Sequence, residues 1–344
     1  MKDTMKAVVK TEAAPGASLE EVPVPSPSPT QALIEVESTS ICGSDYHIYA
    51  WNEWAQEKDI ELPHTMGHEL AGRVVETGEL VTRISEGDFV SAETHINCGE
   101  CYQCRTGQRH ICQNMEILGV HTDGVFSEYT AIEADMLEIN PPGLSPELAS
   151  LQEPLGNAID TINAGEPAGN NVLITGAGPV GLMGVLVARA LGAATITVTE
   201  PHDYRRKLAE ELGASWAIEP ESLEDHLNQN LRAEGFDLAA EMSGNKAALR
   251  QGLEHLTPGG KMAILGAFDG EVSLDINQQV FKNLRVEGIT GRKMYRTWYT
   301  ARRLLREQII DLKQLVTHEF SLEEFERGMK LMESGDCGKI VLLT

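Results

Sequence analysis

Apolar positions fall into two textures along the chain. Through about position 150 they form brief β-branched runs set between Gly and Pro turns: KAVVK, ALIEVES, ELAGRVVETG, GDFVSAE and FSEYTAI. Runs of this kind, bounded by breakers, predict the short strands of a β-rich, barrel-like domain. From position 171 the texture changes. NVLITG, PVGLMGVLVARALG, TITVTE and DYRRKLAEELG alternate strand-like stretches with helical ones, which predicts a parallel sheet wrapped by helices. The closing LMESGDCGKIVLLT predicts a helix followed by a strand. The uncharged stretch VLITGAGPVGLMGVLVA, 172–188, imitates a membrane span. It falls short of the roughly 20 residues a span needs and is broken by Gly and Pro, so it reads as a buried strand and helix.

Composition then sets size and partner class. At 344 residues, 42% hydrophobic, the chain is too long for one comfortable core and too apolar for disorder, so two domains are expected. A formal charge of −24 opposes phosphate backbones and anionic lipid, whose binding needs clustered Lys and Arg. Neither a nucleic-acid partner nor a membrane partner is expected. The same acidity also suits a salt-rich host. The opening MKDTMKAVVKTEAAPG has no apolar core of the secretory kind, so a cytoplasmic location is expected.

In VLITGAGPVG, Gly176, Gly178 and Gly181 have the G-x-G-x-x-G spacing directly after an apolar strand and at the start of a helix. The first glycine permits the tight turn, the second lets the main chain approach a pyrophosphate, and the third lets helix and strand pack closely. The helix start supplies free N–H groups and a positive dipole end. TITVTE ends a second strand at Glu200. A carboxylate there would accept the ribose hydroxyls and repel a 2′-phosphate, favouring NAD over NADP. Arg205 and Arg206 pull the other way, because an arginine pairs with that phosphate; their plain alternative is the solvated face of a helix.

CGECYQCRTGQRHIC places Cys98, Cys101, Cys104 and Cys112 at C-x2-C-x2-C-x7-C spacing. Four thiolates suit a tetrahedral Zn²⁺, whereas an iron–sulfur run would put its fourth cysteine at x3 before a proline. A site closed by four protein ligands leaves no position for substrate. It stiffens a loop. A second, open site needs three ligands from scattered segments, and the candidates are Cys42 in ICGSDYHIY, His68 and Glu69 in MGHEL, and Glu153 in LQEPLGNA. Each has an ordinary alternative: a small buried hydrophobe, a satisfied core histidine, a carboxylate at a helix start.

Taken together, ICGSD, GHE, the four-cysteine lobe, EPL and GAGPVG resemble, in order and over essentially the whole length, the zinc-dependent medium-chain alcohol dehydrogenase family. The resemblance implies an α/β chain with a GroES-like, β-rich catalytic domain and a Rossmann doubly wound cofactor domain. The implied boundaries are 1–154 for the catalytic domain with its zinc lobe at 95–115, 155–295 for the NAD domain, and 296–344 returning to the catalytic domain. It implies one catalytic and one structural zinc per chain. Cys42 and His68 would ligate the first, Glu69 beside them as an alternating ligand or close neighbour, and Glu153 as a further carboxylate on or near the metal. Ser44 and His47 match the family's proton-relay positions, with serine where threonine is commoner. Val180, Glu200, Arg205, Leu265, Gly266, Ala267, Ile289 and Thr290 fall on its cofactor positions.

Within the family, ICGSDYHIYAWNEWAQ, HINCGECYQC, GITGRKMYRTWY and THEFSLEEFERGM resemble the members that oxidise L-threonine at its hydroxyl-bearing carbon to 2-amino-3-oxobutanoate. His95 and the WNEWAQ segment are then candidates for shaping the substrate pocket. A polyol or sugar dehydrogenase of the same fold is the alternative, and a catalytically silent nucleotide-binding zinc protein is a second. The family also implies a homotetramer.

Overall fold

The computed structural model describes residues 2–231 and 234–344 and divides into two compact units. The first comprises Met1–Glu153, Lys293–Arg306 and Val316–Thr344; the second comprises Pro154–Arg292 and Glu307–Leu315. The sequence places all of 296–344 with the first unit, but Glu307–Leu315 belongs with the second. Its apolar Ile310, Leu312 and Leu315 are buried there, and that burial outweighs the continuity of the chain.

In the first unit a seven-stranded sheet is organised around Gln31–Ser40. That strand pairs antiparallel with Glu69–Thr77, with Tyr129–Glu133 and with the closing strand Lys339–Leu343. Lys339–Leu343 is inserted between Gln31–Ser40 and Val316–Ser321, parallel to the latter. A smaller sheet sets Thr4–Lys10 between Ser18–Pro23 and His64–Thr65. The β-branched runs therefore form strands where their texture predicts them. Two apolar clusters fill the unit, one around Ile41, Ile48, Met66, Phe126 and Phe325, the other around Ile34, Leu70, Val74, Val90 and Leu137.

The second unit holds a six-stranded parallel sheet: β1 (Asn171–Thr175), β2 (Thr195–Thr199), β3 (Trp216–Ile218), β4 (Phe236–Glu241), β5 (Leu256–Ile264) and β6 (Arg285–Gly288). Their order is β3-β2-β1-β4-β5-β6, and every pairing is parallel. The chain leaves β1 toward β2 on one side and returns to β4 on the other. Such a reversal opens a crevice at the carboxyl ends of the strands, where ligands bind in doubly wound sheets. β1 is buried along Val172–Thr175, as a central strand covered on both faces must be.

Candidate metal centre and cofactor site

Cys42 follows the strand Gln31–Ser40 and is the N-cap of the helix Gly43–Ala50; His68 immediately precedes the neighbouring strand Glu69–Thr77, which Glu69 opens. The pairing of Ser40 with Glu69 brings the two segments together. One donor atom each from Cys42, His68 and Glu69 then lies within 4.8 Å of the others. Asp45 ties the segments further. Its Oδ2 accepts the Cys42 backbone N–H at 2.8 Å, and its Oδ1 accepts from His68 Nδ1 at 3.0 Å. A carboxylate behind one imidazole nitrogen fixes the ring and leaves the other for a metal.

Glu69 is held just as deliberately. Lys339 Nζ lies 2.5 Å from Glu69 Oε2, donates also to the Ile41 carbonyl at 2.9 Å, and is 1% exposed. The Ser40 hydroxyl donates to the same carboxylate oxygen. Burial pulls the Lys339 ammonium down, yet Glu69, Cys42 and Asp45 together outweigh it and hold the group above the ordinary lysine value. Burial pushes the Glu69 carboxyl up, against the pull of Lys339 and His68. Its second oxygen, Oε1, is buried without a hydrogen-bond partner. A buried carboxylate oxygen left over beside a thiol and an imidazole is an atom that a cation would satisfy. Sulfur, nitrogen and oxygen donors together suit zinc, so the residues fit the metal.

Glu153 stands at the start of the helix Gln152–Ala164, accepts from Thr94 Oγ1 at 3.1 Å, and lies near enough to Glu69 to add to the upward push on its carboxyl. Ser44 and His47 share one face of Gly43–Ala50, three residues apart. His95 Nδ1 lies 2.7 Å from Oε1 of the fully buried Glu93, whose Oε2 accepts the Trp298 indole N–H at 2.7 Å. Residues Asp45, Lys339, Ser40, Glu93 and Trp298 support the candidates and escape sequence reasoning. A lone lysine at the head of the apolar run KIVLL is the one signal that could have exposed Lys339.

In the four-cysteine lobe, Cys112 Sγ lies 3.4 Å from Cys98 Sγ and 3.8 Å from Cys101 Sγ. Four sulfurs about 2.3 Å from a tetrahedral zinc would be separated by about 3.8 Å. Backbone N–H groups of Cys98 and Asn114 point at Cys112 Sγ, both at 3.3 Å. The Cys104 N–H does the same for Cys101, whose thiol is lowered to about 6 chiefly by that bond. These donors favour thiolates, and the set fits zinc.

In the second unit the glycine-rich turn joins β1 to the helix Pro179–Ala190, with Gly178 as its N-cap. Gly176 has φ +91, and nothing lies within 4 Å of where a Gly178 side chain would begin, leaving room for a pyrophosphate. A Cβ on Gly181 would sit 2.0 Å from the Gly176 carbonyl oxygen. Gly181→Ala must therefore lift the helix off the turn, and an overpacking cost of about 1–3 kcal/mol predicts roughly a tenfold rise or more in the NADH dissociation constant. Fluorescence titration of NADH reads it; an unchanged constant would show that the turn does not hold the cofactor.

Glu200 follows β2 and is anchored by two backbone donors: Ala177 N–H to Oε2 at 2.7 Å and His202 N–H to Oε1 at 3.0 Å. Gly176, Gly178, Glu200, Arg205, Ser243 and Asn245 are among the residues lining a cavity of ≈ 610 Å³. Arg206 is committed elsewhere, donating to the Glu200 and Pro201 carbonyls at 2.9 and 2.6 Å and to Glu219 at 3.2 Å. Of the two arginines, Arg205 is the one beside the cavity. Val180 lies in the first turn of the helix; Leu265, Gly266 and Ala267 follow β5, and Ile289 and Thr290 follow β6. All these positions lie at the carboxyl edge of the sheet. Among the described residues no helix is long and apolar enough to cross a membrane.

Comparison with known proteins agrees with this geometry. Residues 28–141 match the alcohol dehydrogenase GroES-like domain and residues 179–307 the zinc-binding dehydrogenase family. An L-threonine 3-dehydrogenase of Pyrococcus abyssi is 49% identical over 347 aligned residues, covering 100% of this chain and 99% of the relative. The 2R,3R-butanediol dehydrogenase structure from Bacillus subtilis superposes with a TM-score of 0.89 at 28% identity, covering 99% of both chains. A protein of Escherichia coli CFT073 described as a short chain alcohol dehydrogenase, solved with NADH, gives a TM-score of 0.91 at 26% identity, covering 100% of both chains. The chain belongs to the zinc-dependent medium-chain alcohol dehydrogenases and, within them, is most like the L-threonine 3-dehydrogenases among these relatives.

Proposed function

We propose that the protein oxidises L-threonine at its hydroxyl-bearing carbon, giving 2-amino-3-oxobutanoate with transfer of hydride to NAD. The observation that carries this reading is the Cys42, His68 and Glu69 cluster on the same chain as a glycine-turn nucleotide site, in a sequence 49% identical to a threonine dehydrogenase.

Cys42, His68 and Glu69 would hold the catalytic zinc, with Glu153 close by, and the four cysteines a structural one. When bound, zinc supplies the Lewis acidity that eases removal of a hydroxyl proton, and NAD supplies the hydride acceptor. The chain's own residues do the rest. Asp45 orients His68, while Lys339 and Ser40 fix Glu69 by one oxygen. Ser44 and His47 carry the released proton toward solvent, a task suited to a hydroxyl followed by an imidazole. Glu200 accepts the adenosine ribose hydroxyls, and the amides at the head of Pro179–Ala190 receive the phosphates. His95, backed by Glu93, helps to shape the substrate pocket.

The similarity to butanediol dehydrogenase favours a second reading, a polyol or sugar dehydrogenase. NADH production from L-threonine, sorbitol, butanediol and glucose separates the two. Threonine is expected to give the highest kcat/KM; activity on a polyol with none on threonine would reverse the assignment.

We also infer a homotetramer. Strand β6 is an edge strand with all four residues exposed, Val286 among them, and Ile276, Val280 and Phe281 of the preceding helix are exposed apolar residues as well. A second copy pairing there would continue the sheet and cover these residues, joining two chains, and two such pairs would form the tetramer. We also infer a reducing, cytoplasmic setting, in which the thiols of the cysteine lobe stay available to zinc.

A further inference from the structure

His47 enters the proposed relay as a ring with two nitrogens, and the structure shows what one of them faces. Its Nδ1 lies 2.6 Å from Asn52 Nδ2, and its ring packs at a tilt against Trp54, centroids 5.5 Å apart. The Asn52 amide is fixed from the other side. Asn52 is the N-cap of the helix Glu53–Gln56, and its Oδ1 accepts the Ala55 N–H at 3.3 Å. A backbone N–H only donates, so the atom facing Ala55 is the amide oxygen. The atom facing His47 is then the amide nitrogen, which also only donates. His47 Nδ1 must accept, and in the neutral ring the proton sits on Nε2.

We propose that Asn52 is a positioning residue for the relay, in which a helix cap on one side of its amide dictates which nitrogen of His47 carries the proton on the other. The proposal rests on the reading of His47 as a relay member. The ring offers Nε2–H as its donor edge and keeps its lone pair turned toward Asn52. Passage of a proton through the neutral ring couples two bonds: the proton released through the Ser44 hydroxyl forms an N–H at Nδ1 in place of the Asn52 hydrogen bond, and the N–H at Nε2 breaks with its proton passing to solvent water. The ring's charge is the same before and after.

Asn52→Asp tests this, because aspartate keeps the cap on Ala55 but presents an acceptor to His47. Magic-angle-spinning 15N spectra of histidine-labelled holoenzyme, with the spectrum of a His47→Gln variant subtracted, report which nitrogen is protonated. The unaltered protein is expected to show Nε2–H and Asn52→Asp to show Nδ1–H. With L-threonine, kcat should fall by about tenfold or more, while KM and the NADH dissociation constant stay within about twofold. In the His47→Gln background the same change should cost less than about twofold, because Asn52 then has nothing to position. Nδ1–H in the unaltered protein, an unmoved proton in Asn52→Asp, or an undiminished cost in the His47→Gln background would each overturn the proposal. Absence of threonine turnover in the unaltered protein overturns the activity reading instead, and the imidazole spectrum still decides the Asn52 assignment.

Discussion

Cys42→Ser is expected to yield a folded protein that binds NADH, carries about one zinc per chain where the unaltered protein carries about two, and has lost essentially all turnover. Serine is chosen because Cys42 begins a helix through a capping box with Asp45, and a serine hydroxyl serves that cap as well as the thiol does. The substitution therefore spares the fold and removes only the soft ligand. Loss of Lewis-acid stabilisation worth several kcal/mol corresponds to a rate reduction on the order of a thousandfold. The remaining zinc belongs to the cysteine lobe, and the nucleotide turn belongs to the other compact unit, so neither should change. Metal analysis, NADH titration and threonine kinetics on the same preparation check the three parts together. Retention of two zinc ions with turnover within tenfold of the unaltered protein would remove Cys42 from the site.

Lys339→Met is expected to be among the most destabilising single changes in the first unit. The ammonium it removes is the counter-charge of a carboxylate that is itself fully buried. In the metal-free protein, breaking such a pair from one side leaves an uncompensated charge and costs about 3–5 kcal/mol. For a domain of this size that corresponds to a fall of roughly 10 °C in melting temperature. Pairing it with Glu69→Gln removes the stranded charge, so the double variant should melt above Lys339→Met alone. A Lys339→Met protein that melts with the unaltered one would show that the carboxylate finds another partner. The double variant should lack activity, because glutamine is a poor substitute for the carboxylate of Glu69.

The nucleotide site was legible because its chemistry is local. Gly176, Gly178, Gly181 and Glu200 fall in one strand, turn, helix and strand, and short-range geometry fixes what each can do. The cysteine lobe was legible for the same reason, its four thiols spanning fifteen residues. The open metal cluster was only half visible. Cys42, His68 and Glu69 are brought together by strand pairing, and without the family resemblance each had an ordinary reading. The supports were not visible. Lys339 meets the Ile41 carbonyl across a sequence separation of 298, and Trp298 meets Glu93 across 205. No periodicity encodes such meetings, and a lysine heading an apolar strand reads as a surface residue until a carboxylate is found beneath it. The placement of Glu307–Leu315 in the second unit escaped for a similar reason: the texture of a segment shows that it will be buried but not against what.

The insertion of Lys339–Leu343 between Gln31–Ser40 and Val316–Ser321 gives the counter-charge of Glu69 a backbone paired on both sides. Amide exchange along that strand should therefore be slow and follow the opening of the whole sheet rather than local fraying, so the ammonium that steadies Glu69 should come free only when the first unit unfolds as a whole.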